Sequence, residues 1–362
     1  MLLCRLAVVL ASSLVVLAAC SSDPAVAPTP ADPSSLSAPL AGQGFQMRTP
    51  LFDVPAGQEL QDCYFFRVGD LAKTGGLPDG EPVNMHRIQM VQKKGSHHMN
   101  LFRVAGTPTA LVPANGTVHG VNGAGECFRS SNWSEWPLVA NTQQDGAVDW
   151  TFPDGVANVF QPDEWLMLQT HYVNASSQAT PDAGEVAINM YVMPKADVKH
   201  EMGTLFATKQ SIRICQDNPT PQFSGTCQFK NPTETVHVIG ANGHFHSRGK
   251  TFDMFAWDGT SIAKPADSAK FYESKAWDDP PMRRSPDLAL DIAPGGGVFY
   301  TCDYQWQPPP VSAGGCKTLD DKDKSTDKDC CYTFGPIVET NEHCNAFVYY
   351  WPKQATGDVF CN

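Results

Sequence analysis

Two pairs of histidines have the residue types and spacing that could bind a metal ion. His97 and His98 are adjacent in GSHHMNLF, and His244 and His246 are two apart in GHFHSRG. Residues i and i+2 of a strand point to the same face, so His244 and His246 can place both imidazoles on one metal. Adjacent strand residues point to opposite faces, so His97 and His98 could share a metal only at a strand end or a bulge, which Gly95 makes possible. Neutral imidazole suits copper, zinc, iron and nickel, and each pair needs a third ligand from elsewhere.

The elements that must position these histidines are short strands rather than helices. The 362 residues contain 29 Gly and 29 Pro, and many short apolar runs lie between turn residues. Residues 186–192 alternate between apolar and polar as a half-buried strand does. The sequence predicts an all-β protein of two tandem antiparallel β-sandwich domains, 45–197 and 198–362, with Pro194 close to the boundary.

The N-terminal segment predicts export. Residues 1–20 combine Arg5, an apolar run and small residues, as a secretory signal peptide does. The run Leu17-Ala18-Ala19-Cys20 resembles the lipobox of bacterial lipoproteins, which implies lipidation of Cys20 and anchoring in the cell envelope. The alternative is an ordinary signal peptide. The residues after Cys20 favour the outer membrane of a Gram-negative cell, and the Pro/Ser-rich residues 21–44 predict an extended tether.

Charge and cysteine content narrow the class of protein further. The net charge of −12 makes nucleic acid an unfavourable partner, because an acidic surface repels phosphate backbones. Of the 12 cysteines, ten remain when Cys4 and Cys20 are set aside. An even number in an exported chain favours disulfides, and the absence of a CxxC pair argues against a zinc site. Spacing alone leaves the connectivity open.

Four segments together resemble a known family. GSHHMNLF, LQTHYVN, GHFHSRGK and NEHCNAFVYYWP occur in the order that is typical of the copper type II, ascorbate-dependent monooxygenases. The family includes peptidylglycine α-hydroxylating monooxygenase and dopamine β-monooxygenase, and the similarity runs from about Cys63 to Asn362. It implies two tandem β-sandwich domains, which agrees with the prediction from the strand pattern.

The resemblance also implies two copper ions, one in each domain. His97, His98 and His171 correspond to the ligands of the first copper, which stores and delivers an electron. His244 and His246 correspond to ligands of the second, which binds O2. The family's third ligand there is the Met of a Glu-Met-Cys triplet, whereas this chain has Glu342-His343-Cys344, so His343 is expected in its place. Imidazole is a harder ligand than a thioether and tolerates Cu(II) better, so the redox balance should shift.

The implied activity is hydroxylation of a C–H bond of a small organic substrate by O2, with ascorbate or another one-electron donor as reductant. His343 motivates the alternative of a non-catalytic copper-binding lipoprotein for sequestration, delivery or sensing. A zinc hydrolase is a weaker alternative, because no Glu stands beside a histidine pair as in HExxH. Asn242 replaces an Arg that holds a substrate carboxylate in the peptide-specific relatives, and Phe347 replaces a substrate-contacting Tyr. Both changes argue against a peptidylglycine substrate.

The family's cysteines imply disulfide pairs as well. The resemblance pairs Cys63 with Cys127, Cys302 with Cys344, and Cys227 with Cys361. Four more cysteines have no implied partner: Cys215, Cys316, Cys330 and Cys331. Structural or surface roles are expected for the remaining histidines, which are His86, His119, His200 and His237.

Overall fold

The computed structural model describes most of the chain as strands. The described residues are 32–104, 118–119, 136–143, 147–174, 176–177, 180–230, 233–309, 315–319, 330–335 and 340–362. Strands account for 53% and helices for 7%. The predicted all-β class is therefore confirmed.

Three sheets use the strands of the first half of the chain. The largest has the order β1 (Gly44–Arg48), β12 (Val186–Val192), β4 (Val83–Gln92), β9 (Val156–Phe160) and β13 (His200–Glu201), with β8 (Ala147–Thr151) also paired to β4. The second has the order β6 (Val118–His119), β3 (Gln58–Arg67), β10 (Trp165–Asn174), β5 (Ser96–Arg103) and β7 (Leu138–Thr142). The third pairs β11 (Thr180–Gly184) with β2 (Phe52–Val54). One short helix, α1 (Val68–Thr74), follows β3.

Three further sheets use the strands of the second half. One has the order β20 (Arg283–Arg284), β17 (Val236–His244), β25 (Asn345–Trp351), β14 (Gly203–Thr208) and β26 (Val359–Cys361), with β21 (Leu290–Ile292) paired to β17. Another has the order β15 (Arg213–Ile214), β23 (Tyr332–Phe334) and β24 (Asn341–Glu342). The last has the order β16 (Gln222–Gln228), β22 (Gly297–Tyr304), β18 (Gly249–Trp257) and β19 (Lys270–Ser274). Short 3-10 turns lie at Pro33–Ser35, Lys195–Asp197, Asp267–Ala269 and Gly315–Thr318.

The overall arrangement of these small sheets is a propeller-like ring with five blades. This ring does not by itself establish the two tandem sandwiches that the strand pattern predicts. Buried apolar side chains form two clusters, one mainly from residues 45–190 and one from residues 205–359. Strand β8 alternates strictly between exposed and buried residues. Strand β12 does not: residues 186–190 are all buried, so residues 186–192 form a strand but not the half-buried one that their alternation predicted.

Contacts across the expected domain boundary near residue 197 are extensive. Phe206, Phe347 and Tyr349 from the second half belong to the apolar cluster of the first half. Strand β13 pairs in parallel with β9, and Trp150 Nε1 donates a hydrogen bond to Ser285 Oγ at 3.1 Å. The two halves therefore pack on a shared apolar surface rather than only through a linker.

Disulfides hold the second half together. Cys302 pairs with Cys344 and Cys227 with Cys361, as the resemblance implied. The remaining four cysteines form the pairs Cys215–Cys331 and Cys316–Cys330, which the sequence left open. Cys63 is disulfide-bonded, and its expected partner Cys127 lies outside the described residues.

The N-terminal predictions also concern residues that the structure does not describe. The signal peptide 1–20, Cys20 and residues 21–31 of the tether lie outside the described residues. Residues 32–44 are described and contact the first half, where Asn189 Nδ2 donates a hydrogen bond to the carbonyl of Ser37 at 2.8 Å and Gly44 begins β1. Within the part of the chain that is described, no helix has the length and hydrophobicity needed to cross a bilayer.

Candidate metal centre

The first histidine cluster forms where β5 and β10 pair. His98 lies directly opposite His171, and the next matched pair is Ser96 with Tyr172. His97 is therefore an extra residue in β5, and the register shift makes this a β-bulge. Because a bulge lets neighbouring side chains leave the regular alternation, His97 and His98 both reach His171. The bulge that the adjacent histidines required is present.

These three residues, which we call the first triad, are close enough to share one ion. The possible ligand atoms of His97, His98 and His171 all lie within 4.8 Å of one another. The Nδ1 atoms of His97 and His98 are 2.8 Å apart. Nitrogens bound to one tetrahedral ion at about 2.0–2.1 Å lie about 3.4 Å apart, a spacing between the 2.8 Å and the 4.8 Å found in this cluster.

A carboxylate selects the nitrogen that His171 can offer. His171 Nε2 lies 2.6 Å from Glu59 Oε1, and Nδ1 is buried without a hydrogen-bond partner. The proton therefore belongs on Nε2, which donates to Glu59, and the lone pair on Nδ1 faces the triad. Burial alone would raise the pKa of Glu59, but the hydrogen bond and charge of His171 lower it below its usual value. Glu59 is therefore ionised near neutral pH.

The second cluster forms at the ends of strands in the other half. His244 ends β17, where it lies opposite Asn345 at the start of β25, and His343 precedes that residue by two positions. The possible ligand atoms of His244, His246 and His343 lie within 4.8 Å of one another. We call these residues the second triad. The structure thus brings His343 close to His244 and His246, the two residues with which the sequence predicted it to share a site.

A main-chain carbonyl orients the ring of His246, and an aromatic ring packs on that of His343. His246 Nδ1 lies 2.9 Å from the carbonyl oxygen of Asn341, so it carries the proton and Nε2 keeps the lone pair. His343 Nδ1 is buried and has no hydrogen-bond partner. The ring of Phe334 lies 4.9 Å from the His343 ring and covers it. Each ring thus has one nitrogen free for a ligand bond.

Glu342 is the last residue of β24 and directly precedes His343 of the second triad. Its side chain is completely buried, and its two oxygens accept hydrogen bonds from the backbone N–H groups of His246 at 2.8 Å and Arg248 at 2.9 Å. The Arg248 guanidinium is 3.6 Å from Oε1 and 4.0 Å above the ring of Tyr332. Burial raises the pKa of Glu342 to about 7, although the N–H groups and charge of Arg248 act to lower it.

Side chains of both triads line one cavity. The ring centroids of His98 and His244 are only 5.6 Å apart, in edge-to-face contact. A cavity of about 50 Å³ is lined by His98, His171, His244, His246 and His343, by three phenyl rings and by carboxamide side chains. Its non-histidine walls are Gln61, Asn100, Phe102, Asn141, Gln143, Gln169, Phe206, Asn345 and Phe347. None of these lining residues is an Asp, Glu, Lys or Arg.

Burial keeps five of these imidazoles in the neutral form that binds metal. Burial lowers the pKa of His97 to about 4, and the charge of His171 adds to this effect. Burial also holds the pKa values of His98, His244, His246 and His343 well below the usual value for histidine. Unpaired lone pairs on neutral, buried imidazoles fit a borderline metal ion such as copper or zinc.

The two residues that differ from the substrate-contacting residues of the peptide-specific relatives, Asn242 and Phe347, both pack against other side chains. Asn242 Oδ1 accepts a hydrogen bond from Asn141 Nδ2 at 2.9 Å, and Asn242 Nδ2 donates to the carbonyl of Pro281 at 3.2 Å. Asn242 therefore joins the two halves of the molecule. Phe347 stacks on Phe206, with ring centroids 4.8 Å apart, and forms an apolar wall of the cavity.

The remaining histidines lie away from both triads. His237 Nδ1 contacts Asp291 at 2.6 Å, and Trp351 lies between His237 and His200. Burial lowers the pKa of His86. The side chain of His119 is not among the described ones. Structural roles agree with these surroundings.

Sequence reasoning missed the groups that orient the ligands. It assigned no role to Glu59, to the carbonyl of Asn341 or to the carboxylate of Glu342. Glu59 and Gln61 share a face of β3 by simple alternation, and this is the one signal that could have linked them. Only the pairing of β3 with β10 brings that face to His171.

Comparisons with known proteins add little. No known family model matches the chain, and no curated protein is similar to it. Among solved structures, empty particles of cowpea mosaic virus are similar with a TM-score of 0.32 and 9% identity, covering 94% of this chain and 96% of that chain. A broad bean stain virus structure has a TM-score of 0.30 and 10% identity, covering 91% and 97%. Similarity at this level carries no argument about fold or function.

Proposed function

We propose that this chain is an exported, lipid-anchored copper-dependent monooxygenase that holds two copper ions. The observation that carries the proposal is the convergence of six imidazoles into two triads, with five of the six lining one cavity. Two three-histidine sets suit copper by ligand type. The resemblance of four ordered motifs to the copper type II monooxygenases supports copper over zinc.

The two triads would have separate tasks. His97, His98 and His171 would hold the electron-storing copper, and the second triad would hold the copper that meets O2. Bound copper would supply one-electron redox chemistry and oxygen activation for hydroxylation of a C–H bond. Ascorbate or another one-electron donor would be the reductant.

The chain's own residues would orient the ligands and select the substrate. Glu59 holds the His171 proton on Nε2, and the Asn341 carbonyl holds the His246 proton on Nδ1. Such partners fix the tautomer and ring orientation of a ligating histidine. A cavity wall of carboxamides and phenyl rings without ionic side chains supports a small, uncharged organic substrate, because a buried charge without a partner is costly.

The finer fold and the cellular location are part of the same proposal. The two apolar clusters support two tandem antiparallel β-sandwiches, one for each triad, within residues 45–197 and 198–362. The signal-like residues 1–20 and Cys20 support anchoring in the outer membrane of a Gram-negative cell through a lipid, with residues 21–44 as a tether.

Copper analysis combined with oxygen uptake tests the proposal. The purified protein is saturated with Cu(II), and metal content is measured after removal of free ion; two copper ions per chain are expected. Ascorbate-dependent O2 consumption is then followed with a panel of small neutral compounds. Uptake that rises with one of them and yields a hydroxylated product supports the enzyme, whereas binding of fewer than two copper ions contradicts the proposal.

A non-catalytic copper-binding lipoprotein is the second candidate, and His343 favours it. An all-imidazole second triad lacks the soft thioether that favours Cu(I), so the site stabilises Cu(II) relative to the family's site. Two coppers that ascorbate reduces but that consume no O2 with any compound of the panel would favour this candidate. A His343→Met variant that alters O2 reactivity would instead favour the enzyme.

A further inference from the structure

Glu342 has an arrangement that packing alone does not require. Its side chain is fully buried in the second half of the molecule, where an isolated carboxylate is unfavourable. Its oxygens accept from the backbone N–H groups of His246 and Arg248, and the backbone of His343 is a further partner. The carboxylate thus contacts the main chain at two ligands of the second triad.

Glu342 binds to a turn, residues 245–248, that lies between two strands and is not itself part of a sheet. Strand β17 ends at His244 and β18 begins at Gly249, and the N–H of Gly249 bonds to the carbonyl of His246. Because the N–H groups of His246 and Arg248 point inward from this turn, they need buried acceptors. Glu342 supplies one oxygen to each of them.

The residues on either side of Glu342 also contact or belong to the second triad. Asn341 accepts from the His246 ring, and His343 is itself a ligand candidate, so three consecutive residues act on one triad. The hydroxyl of Tyr304 donates to the carbonyl of His343, and the Cys302–Cys344 disulfide ties the same segment to β22. The position of His343 relative to His246 therefore depends on this short stretch.

We propose that Glu342 is a positioning residue that sets the distance between His246 and His343 by clamping the backbone of the His246–Arg248 turn. This inference rests on the proposed metal site of the second triad and adds a residue to it. A carboxylate is required because both partners are N–H donors. A carboxamide would present its own NH2 group to one of these donors, and the two would repel.

The test is the Cu(II) affinity of each triad in the full-length Glu342→Gln variant, measured by competition with a chelator and by EPR. We expect the affinity of the second triad to fall 10- to 100-fold, with altered copper hyperfine splitting, as is usual when a residue that orients a ligand is lost. The first triad of the same chain should keep its affinity and spectrum, which also shows that the variant has folded.

Glu201→Gln is the matched control. Glu201 lies in the same half of the chain and pairs with Lys353 at 2.8 Å, close to the surface. It should leave both affinities unchanged. If Glu342→Gln retains wild-type affinity and hyperfine splitting at the second triad, or if both triads weaken equally, the positioning role is wrong. A wild-type protein that binds no copper at the second triad contradicts the proposed function instead, so the two failures are distinguishable.

Discussion

The two triads contain the same three side chains but are supported in different ways. In the first triad a carboxylate, Glu59, bonds directly to a ligand ring, and its side chain is 32% exposed. In the second triad the carboxylate Glu342 is fully buried and bonds to backbone, whereas a neutral carbonyl orients the ring of His246. A carboxylate partner raises the basicity of an imidazole ligand, and a carbonyl does so less. Two sets of identical ligands can therefore differ in redox preference through their partners alone.

Because both triads consist of three histidines, ligand identity alone does not distinguish the two sites, whereas their hydrogen-bond partners do. In the first triad the carboxylate that orients a ligand ring is partly exposed to solvent. In the second triad Phe334 packs on the ring of His343, and the Cys302–Cys344 disulfide ties the neighbouring residue to β22.

Removal of a single histidine ligand should cause the largest change, which is the loss of one metal ion per chain. His171→Ala and His246→Ala each leave two imidazoles in one triad and three in the other. We expect metal content to fall from two ions to one in each variant, because a two-ligand site binds copper too weakly to survive dialysis. EPR should show that the surviving spectrum differs between the two variants. Loss of both ions from either variant would show that the triads do not act as separate sites.

Neutralising the carboxylate of the first triad should have an intermediate effect. Glu59→Gln keeps the side-chain shape but replaces the ionised partner of the His171 ring. We expect a 10- to 100-fold loss of Cu(II) affinity at the first triad and no change at the second, measured by chelator competition.

Glu164→Gln provides the control for that variant, since Glu164 pairs with Arg103 at 3.3 Å in the same half of the molecule. This variant should bind copper normally. If Glu59→Gln keeps wild-type copper affinity at the first triad, the carboxylate of Glu59 does not distinguish the first triad from the second.

The smallest effect concerns a buried carboxylate that lacks the partners of Glu342. Asp62 neighbours Gln61 on β3, its Oδ1 has no hydrogen-bond partner, and burial raises its pKa to about 6. Since the folded pKa lies above the unfolded value of 3.8, the favourable contribution is complete below pH 3.8 and is lost as pH rises through 6. At pH 8 the ionised, buried side chain therefore destabilises the fold.

Asp62→Asn should consequently raise the free energy of unfolding at pH 8 by about 1–3 kcal/mol and have little effect at pH 4, as urea denaturation of the metal-free protein can show. Glu342→Gln should lower the free energy of unfolding at pH 8, because its oxygens have donors. A destabilised Asp62→Asn variant at pH 8 would mean that the carboxylate of Asp62 is stabilised by its surroundings.

Much of the fold class and the histidine sets could be predicted because their signals are local. Alternation in residues such as 186–192 predicts strands, and the i, i+2 spacing of His244 and His246 places both on one side of the chain. The need for a bulge at His97 followed from the same alternation, and the register at His171 confirms it. The overall arrangement of the sheets was less predictable, because strand order depends on pairings between distant residues.

The amino-acid sequence by itself determined the all-β class, the six histidines and the unusual His343, since each depends on residue type and short-range spacing. Only the tertiary structure decided that the two triads share one cavity, with His98 beside His244, and that Asn242 joins the two halves. It also decided that Glu59 reaches a ring while Glu342 reaches backbone. The physical reason is that tautomer, burial and hydrogen-bond partner are properties of contacts between segments far apart in the chain, such as Glu59 and His171, which are 112 residues apart.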